Sequence, residues 1–244
     1  MKLRGHTIGV LIKKDIKVLF TNKNILIMIF LPVIFALLYQ MIYGDMVKND
    51  PAYASFVLCM AELVNMVAIP LTGLGMMIAE EKEKHTLRVL MLSDVSASEY
   101  ITSKIIVNLI VMELVGIIIY LIAGAALSYL PNYIFITTIT AVAILLFGAV
   151  IGIASKDQMS TSTWATPLMF LFLLPPMLGE FNSFMASIAK FVPTYALNEM
   201  LKAIVAGNSI FTSAMISNYV LIGVWVILGA IVFMMMYKKK RFDN

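Results

Sequence analysis

Charge is scarce in this chain of 244 residues: 13% of them are Asp, Glu, Lys or Arg, and 61% are hydrophobic. Soluble domains are roughly 25% charged and about 45–50% apolar. One aqueous core does not hide that much apolar surface, but a bilayer accepts it as solvent. The single cysteine, Cys59, excludes an internal disulfide framework. The only histidines, His6 and His85, lie outside the apolar runs. An intramembrane serine protease, which needs a His base beside its Ser, therefore lacks a base. A metal-dependent membrane protease lacks its ligands in the same way. No glycine-rich turn ending in Gly-Lys-Ser/Thr occurs, so no phosphate-cradling loop for ATP is encoded. The basic residues flank apolar runs and form no patch interleaved with aromatics, which argues against nucleic acid as a partner. The apolar runs are continuous, not alternating, which argues against a membrane barrel.

Six stretches are long enough to cross about 30 Å of hydrocarbon as helices of roughly 20 residues. They run from Ile25 to Tyr43, Tyr53 to Ala79, Ile105 to Leu127, Ile134 to Ala154, Thr163 to Leu178 and Tyr219 to Tyr237. The second carries Pro70, Gly73 and Gly75, and the fifth Pro167, Pro175 and Pro176. Basic residues gather on the cytoplasmic side of membrane proteins. Lys2, Arg4, Lys13, Lys14, Lys17 and Lys23 precede the first span; Lys82, Lys84, Arg88 and Lys104 lie between the second and third. Lys156 lies between the fourth and fifth, and Lys238, Lys239, Lys240 and Arg241 follow the sixth. Fifteen of the 18 basic residues thus share one side, leaving Lys48, Lys190 and Lys202 on the other. The expected protein is all-α, multi-pass, with both termini in the cytoplasm. The first apolar run is too long for a secretory signal core and no small-residue cleavage site follows it, so it is read as retained.

Three segments outside the spans carry further information. Residues 1–24 include Ile8, Ile12, Ile16 and Leu19 at helical spacing, with Lys13, Lys14 and Lys17 toward another face. That pattern is an amphipathic helix for the membrane surface, or a plain basic anchor. Residues 80–104 open on charge and continue through Leu87, Val89, Leu90, Met91 and Leu92. Ser96 and Glu99 fit a capping box that starts the third span. A short exposed helix with apolar residues and a charged rim suits docking in a partner's groove; a loop lying on the bilayer is the plainer alternative. Residues 179–200 hold Phe181, Phe184, Phe191 and Tyr195 among polar residues and read as an external re-entrant segment, broken into two short helices at Pro193. Residues 238–244 form a basic tail, and 25–237 the six-helix domain.

Within the spans stand two acids, Glu62 with Asn65 at i+3 and Glu113 with Asn108 nearby. Intramembrane carboxylates mark either a substrate pathway or gate, or hydrogen bonds that hold helices together. The 19 methionines suit an adaptable lining or simple apolar filling.

The chain resembles the ABC type-2 permeases, the membrane subunits of ATP-driven exporters. The resemblance rests on the amphipathic first helix, the six spans, and the run Glu80-Glu81-Lys82-Glu83-Lys84-His85-Thr86-Leu87. It also rests on Val95-Ser96 with Glu99-Tyr100 and Lys104, and on Phe191-Val192-Pro193-Thr194-Tyr195 before the last span. Family members often carry Gly where His85 stands, Pro where Asp94 stands and Gly where Ser103 stands. The resemblance implies a coupling helix for a separate ATPase near Lys82 to Leu92, with Glu81, Glu83, Lys84, His85, Thr86, Leu87, Arg88, Leu90 and Met91 as its contact residues. It implies no cofactor on this chain, with ATP and Mg held by two copies of the ATPase. It implies a pathway shared with a second permease copy or a paralogue, located in a bacterial cell membrane. A drug, an antimicrobial peptide or a lipid is the implied cargo. The competing expectation is a secondary transporter or channel using Glu62 and Glu113, although no inverted repeat is evident.

Overall fold

A computed structural model describes residues 4–49, 51–93 and 95–239. Among them every regular element is helical. The helices are α1 (Gly5–Thr21), α2 (Lys23–Asn49), α3 (Pro51–Met66), α4 (Leu74–Glu83), α5 (Thr86–Leu92), α6 (Ala97–Ile122), α7 (Leu130–Ala154), α8 (Gln158–Leu178), α9 (Ser183–Ala189), α10 (Pro193–Val205) and α11 (Ile216–Lys239). Six spans are long and apolar enough to cross a membrane: Lys23–Val47, Tyr53–Glu83, Ala97–Ile122, Leu127–Ala154, Gln158–Leu178 and Ser213–Tyr237.

The second span is the axis of the bundle. Buried residues make up 89% of its apolar stretch, against 17% for the first span and 11% for the last. It joins α3 to α4 through a π-helical segment, Val67–Gly73. Pro70 explains the widening: it has no N–H to donate, and its ring crowds the carbonyl four residues back. Thr72 Oγ1 donates to Val67 O at 2.9 Å inside this segment. Across from it α7 offers Gly148 and Gly152, spaced so that both face one partner. A Cβ at Gly148 would lie 2.2 Å from Pro70 O, and one at Gly152 would lie 2.6 Å from Ile78 Cβ. The absent side chains let the two backbones touch.

Two boundaries differ from the sequence reading. The third span begins at Ala97, not Ile105, because Ser96 and Glu99 form the expected capping box and Lys104 is neutralised inside the fold. It ends by Ile122, where Gly124 adopts φ +72 and stops the helix. Between α4 and α6, therefore, residues 84–96 rather than 80–104 lie outside the long helices.

α9 and α10 meet at Pro193, which occupies the first turn of α10. Thr194 Oγ1 donates to Phe172 O at 2.5 Å, and Trp225 Nε1 donates to Phe191 O at 2.7 Å. Phe147, Phe172 and Trp225 pack edge-on beneath, with ring centroids 5.2–6.0 Å apart. The pair is thus fixed to α7, α8 and α11. The basic tail from residue 240 lies outside the described residues.

Candidate functional site

The end of the bundle reached by α4 is built around buried charge. Asp15 of α1, Glu81 of α4 and Lys104 of α6 are all buried. Lys104 Nζ lies 2.9 Å from Asp15 Oδ1 and 3.0 Å from Glu81 Oε1. Ser103 Oγ donates to Asp15 Oδ2 at 3.2 Å. Lys14 also bonds Glu81 and stands 3.3 Å from Asp15. Burial opposes the Lys14 charge, but Glu81 and Asp15 outweigh that and hold its ammonium above the ordinary lysine value.

Two further contacts extend the clamp. Arg4 Nε and Nη2 donate to Glu99 Oε1 and Oε2 at 3.0 and 3.1 Å, a forked pairing. Asn22 Nδ2 donates to Glu80 Oε2 at 2.6 Å. α1 is therefore fastened at its start, middle and end to the helices on either side of α5. Its buried stripe is Leu11, Asp15 and Leu19, at i, i+4 and i+8. Of the apolar residues at helical spacing, Leu19 is buried, Ile8 and Ile12 are half-buried and Ile16 is exposed, while Asp15 turns toward Lys104.

The same end of α4 is tied to α7 and α8. Lys82 Nζ donates to Ile153 O at 2.8 Å and to Ser155 O, carbonyls at the α7 C-terminus that attract a cation. Glu83 Oε2 accepts from Gln158 N at 3.1 Å, and Asp157 caps α8 through Ser160 N at 2.7 Å.

α5 projects from this platform. The chain reverses at His85, which takes the left-handed φ of +56, a conformation that favours glycine. Thr86 Oγ1 donates to Glu81 O at 3.1 Å and fixes the start of the helix. Leu87 and Leu90, expected to be exposed, are half-buried against the core. Val89 and Leu92 point outward instead, 61% and 80% exposed. Glu81, expected on the exposed rim, is buried because Lys104 draws it inward. Lys84 stays exposed and pairs with Glu80. The Arg88 and Met91 side chains lie outside the described residues.

Midway along the bundle is a second polar cluster. Tyr133 Oη donates to Glu62 Oε2 at 2.7 Å, and Asn65 Nδ2 donates to Glu62 Oε1 at 3.1 Å and to Met112 O at 3.2 Å. Glu62, Asn65 and Tyr133 are completely buried. Gly116 makes room for them: a Cβ there would lie 2.5 Å from Tyr133 Oη. Glu113 is half-buried and accepts from Thr137 Oγ1 at 3.0 Å and Thr138 Oγ1 at 2.8 Å. Asn108 does not join Glu113. It donates to Lys104 O at 2.9 Å and to Met77 Sδ at 3.2 Å, one turn nearer the charged end. Among the described residues no three or more His, Cys, Asp or Glu gather in a way that could hold a metal ion.

Sequence reasoning missed Asp15, Lys104 and Tyr133 as partners. A lone acid on a basic amphipathic helix and a lone Lys at the start of an apolar span were the available signals. Tyr133 carried none.

No curated protein matches the chain. A sequence model of the ABC-2 family transporter proteins matches residues 50–234, from the start of α3 to within α11. With six apolar spans and an all-helical fold over the described residues, the chain belongs to the ABC-2 transporter family and is a membrane-embedded permease component of an ABC transporter.

Proposed function

We propose that this permease is driven by a separate ATPase that docks on α5, and that it exports its cargo through a pathway formed with a second permease copy or a paralogue. The observation that carries the reading is the outward pair Val89 and Leu92 on a short helix whose other face is braced against the core. Apolar side chains so placed are better matched by a protein groove than by water. Glu83, Lys84, His85, Thr86 and Arg88 form the surrounding contact set, with Leu87, Leu90 and Met91 on the same helix. Two ATPase subunits hold ATP and Mg. The basic end faces the cytoplasm of a bacterial cell, so both termini are inside, and α9 and α10 dip into the outer leaflet of the cell membrane. α1 lies on the inner surface and, through Asp15 and Arg4, holds α4 and α6 in register while α5 is pushed. Glu62, Asn65, Asn108 and Glu113 line or gate the pathway. A drug, an antimicrobial peptide or a lipid is the cargo class.

The test is co-purification with the candidate ATPase. Val89→Asp with Leu92→Asp should abolish capture of the ATPase and ATP-driven transport, while the permease stays inserted and monodisperse. Full capture with normal transport would remove α5 from the interface.

A further inference from the structure

At the end opposite the ion cluster, the start of α3, the end of α8 and the second half of α10 border a half-open cavity of about 450 Å³. Small-molecule sites run from roughly 300 to 1,000 Å³. Phe56, Met60, Pro176 and Val205 give it apolar walls, while Glu180, Asn198 and Lys202 give it a polar side. Asn198, Lys202 and Val205 follow one another at i, i+4 and i+7, so one face of α10 supplies both kinds of contact.

Two features of the polar side are incomplete. Lys202 Nζ bonds Glu180 Oε1 at 2.7 Å and stands 3.4 Å from Glu199 Oε1, outside the lining, so one partly exposed ammonium serves two solvent-accessible carboxylates. Asn198 is 3% exposed, yet its Oδ1 has no hydrogen-bond partner. Buried amide oxygens are nearly always paired. A donor carrying positive charge answers both deficits at once. An anion answers neither, because Lys202 is already neutralised.

We propose that this cavity binds an amphipathic primary amine, whose ammonium donates to Asn198 Oδ1 beside Glu180, with Glu199 just outside the lining, while its hydrocarbon body packs on Phe56, Met60, Pro176 and Val205. The amine arrives either as a dissolved solute or as the headgroup of a lipid. The site stands independently of how the permease is driven, so its test reads binding and not transport.

Full-length protein is titrated calorimetrically with n-octylamine, octanoate and octanol at neutral pH. Octylamine should bind saturably. Glu180→Gln with Glu199→Gln should weaken it about tenfold, as expected for losing charge-assisted hydrogen bonds. Asn198→Leu should do the same; if that variant fails to fold, the nearly isosteric Asn198→Asp should tighten binding instead. Lys202→Gln should also tighten it by freeing both carboxylates. Octanoate binding that is lost in Lys202→Gln, octanol binding as tight as octylamine, or no saturable octylamine binding would each overturn the proposal. Repeating the titration in nanodiscs identifies the source. Suppression by phosphatidylethanolamine, relative to phosphatidylcholine, assigns the lipid headgroup as the occupant, and equal binding in both assigns a dissolved amine; either supports the ammonium site.

Discussion

The molecule buries carboxylates in two places and treats them in opposite ways. At the basic end, Asp15 and Glu81 are met by the ammonium groups of Lys104 and Lys14. Midway along the bundle, Glu62 is met by a phenol and an amide, both neutral donors. The first arrangement joins α1 to α4 and α6, through pairs 67 and 89 residues apart in sequence, and its strength depends on every charge keeping its partner. The second joins α3 to α7 by hydrogen bonds, with a glycine opposite. It tolerates partial loss better, because removing a neutral donor leaves no new charge. The ion cluster is therefore the mechanical joint of the fold, and the Glu62 cluster is a local fastening that a pathway could use.

The largest expected effect breaks the joint. Lys104→Met leaves Asp15 and Glu81 buried with only the half-exposed Lys14 between them. Breaking a buried pair on one side costs about 3–5 kcal/mol. The variant should lose most of its monodisperse yield in detergent and melt well below the parent. Adding Asp15→Asn and Glu81→Gln removes the orphaned charges and should recover more than half of that loss. If the triple variant melts as low as Lys104→Met alone, the cluster acts through packing and not through charge.

An intermediate effect sharpens the contrast. Tyr133→Phe withdraws one neutral donor from Glu62 and should cost about 1–3 kcal/mol. Gly116→Ala places a methyl 2.5 Å from Tyr133 Oη and should cost a similar amount, about 1–3 kcal/mol, through overpacking. The two changes share one obstacle, the phenol oxygen. Their combination should therefore cost clearly less than the sum of the singles. Additive losses in thermal unfolding would mean that Gly116 is needed for some other approach.

Much of this architecture was legible in the sequence, and what was not has a physical pattern. Continuous apolar runs and one-sided basic residues announced six spans, and Ser96 with Glu99 announced the start of α6. Pro193 announced the break between α9 and α10. Periodicity placed α1, but hydrophobicity alone cannot foresee that Lys104 draws Asp15 into the fold. The same blindness put Glu81 on a rim and paired Asn108 with Glu113. Polar partners separated by tens of residues leave no local signature. α5 was placed correctly as a helix, but its facing was reversed: the turn at His85 sets the rotation, and backbone dihedrals are not written in apolar spacing.

That turn supports the smallest prediction. His85 sits at φ +56 and ψ +10, where a Cβ meets backbone and most side chains are disfavoured. The left-handed region costs an L-residue roughly 1–2 kcal/mol. Glycine avoids this cost but loses more entropy on folding, so the net gain from His85→Gly should be about 1 kcal/mol or less. For a chain of this size that is a rise of at most about 2–4 °C in melting temperature. His85→Val, β-branched, should move it the other way. Both variants act on the link between α4 and α5, so hydrogen exchange should change around Lys84–Leu92 and remain as it was around Glu62. A fall in melting temperature for His85→Gly would mean that the imidazole makes a contact worth more than the strain. A change in exchange at Glu62 would mean that the joint and the mid-bundle cluster are coupled through α4 rather than independent.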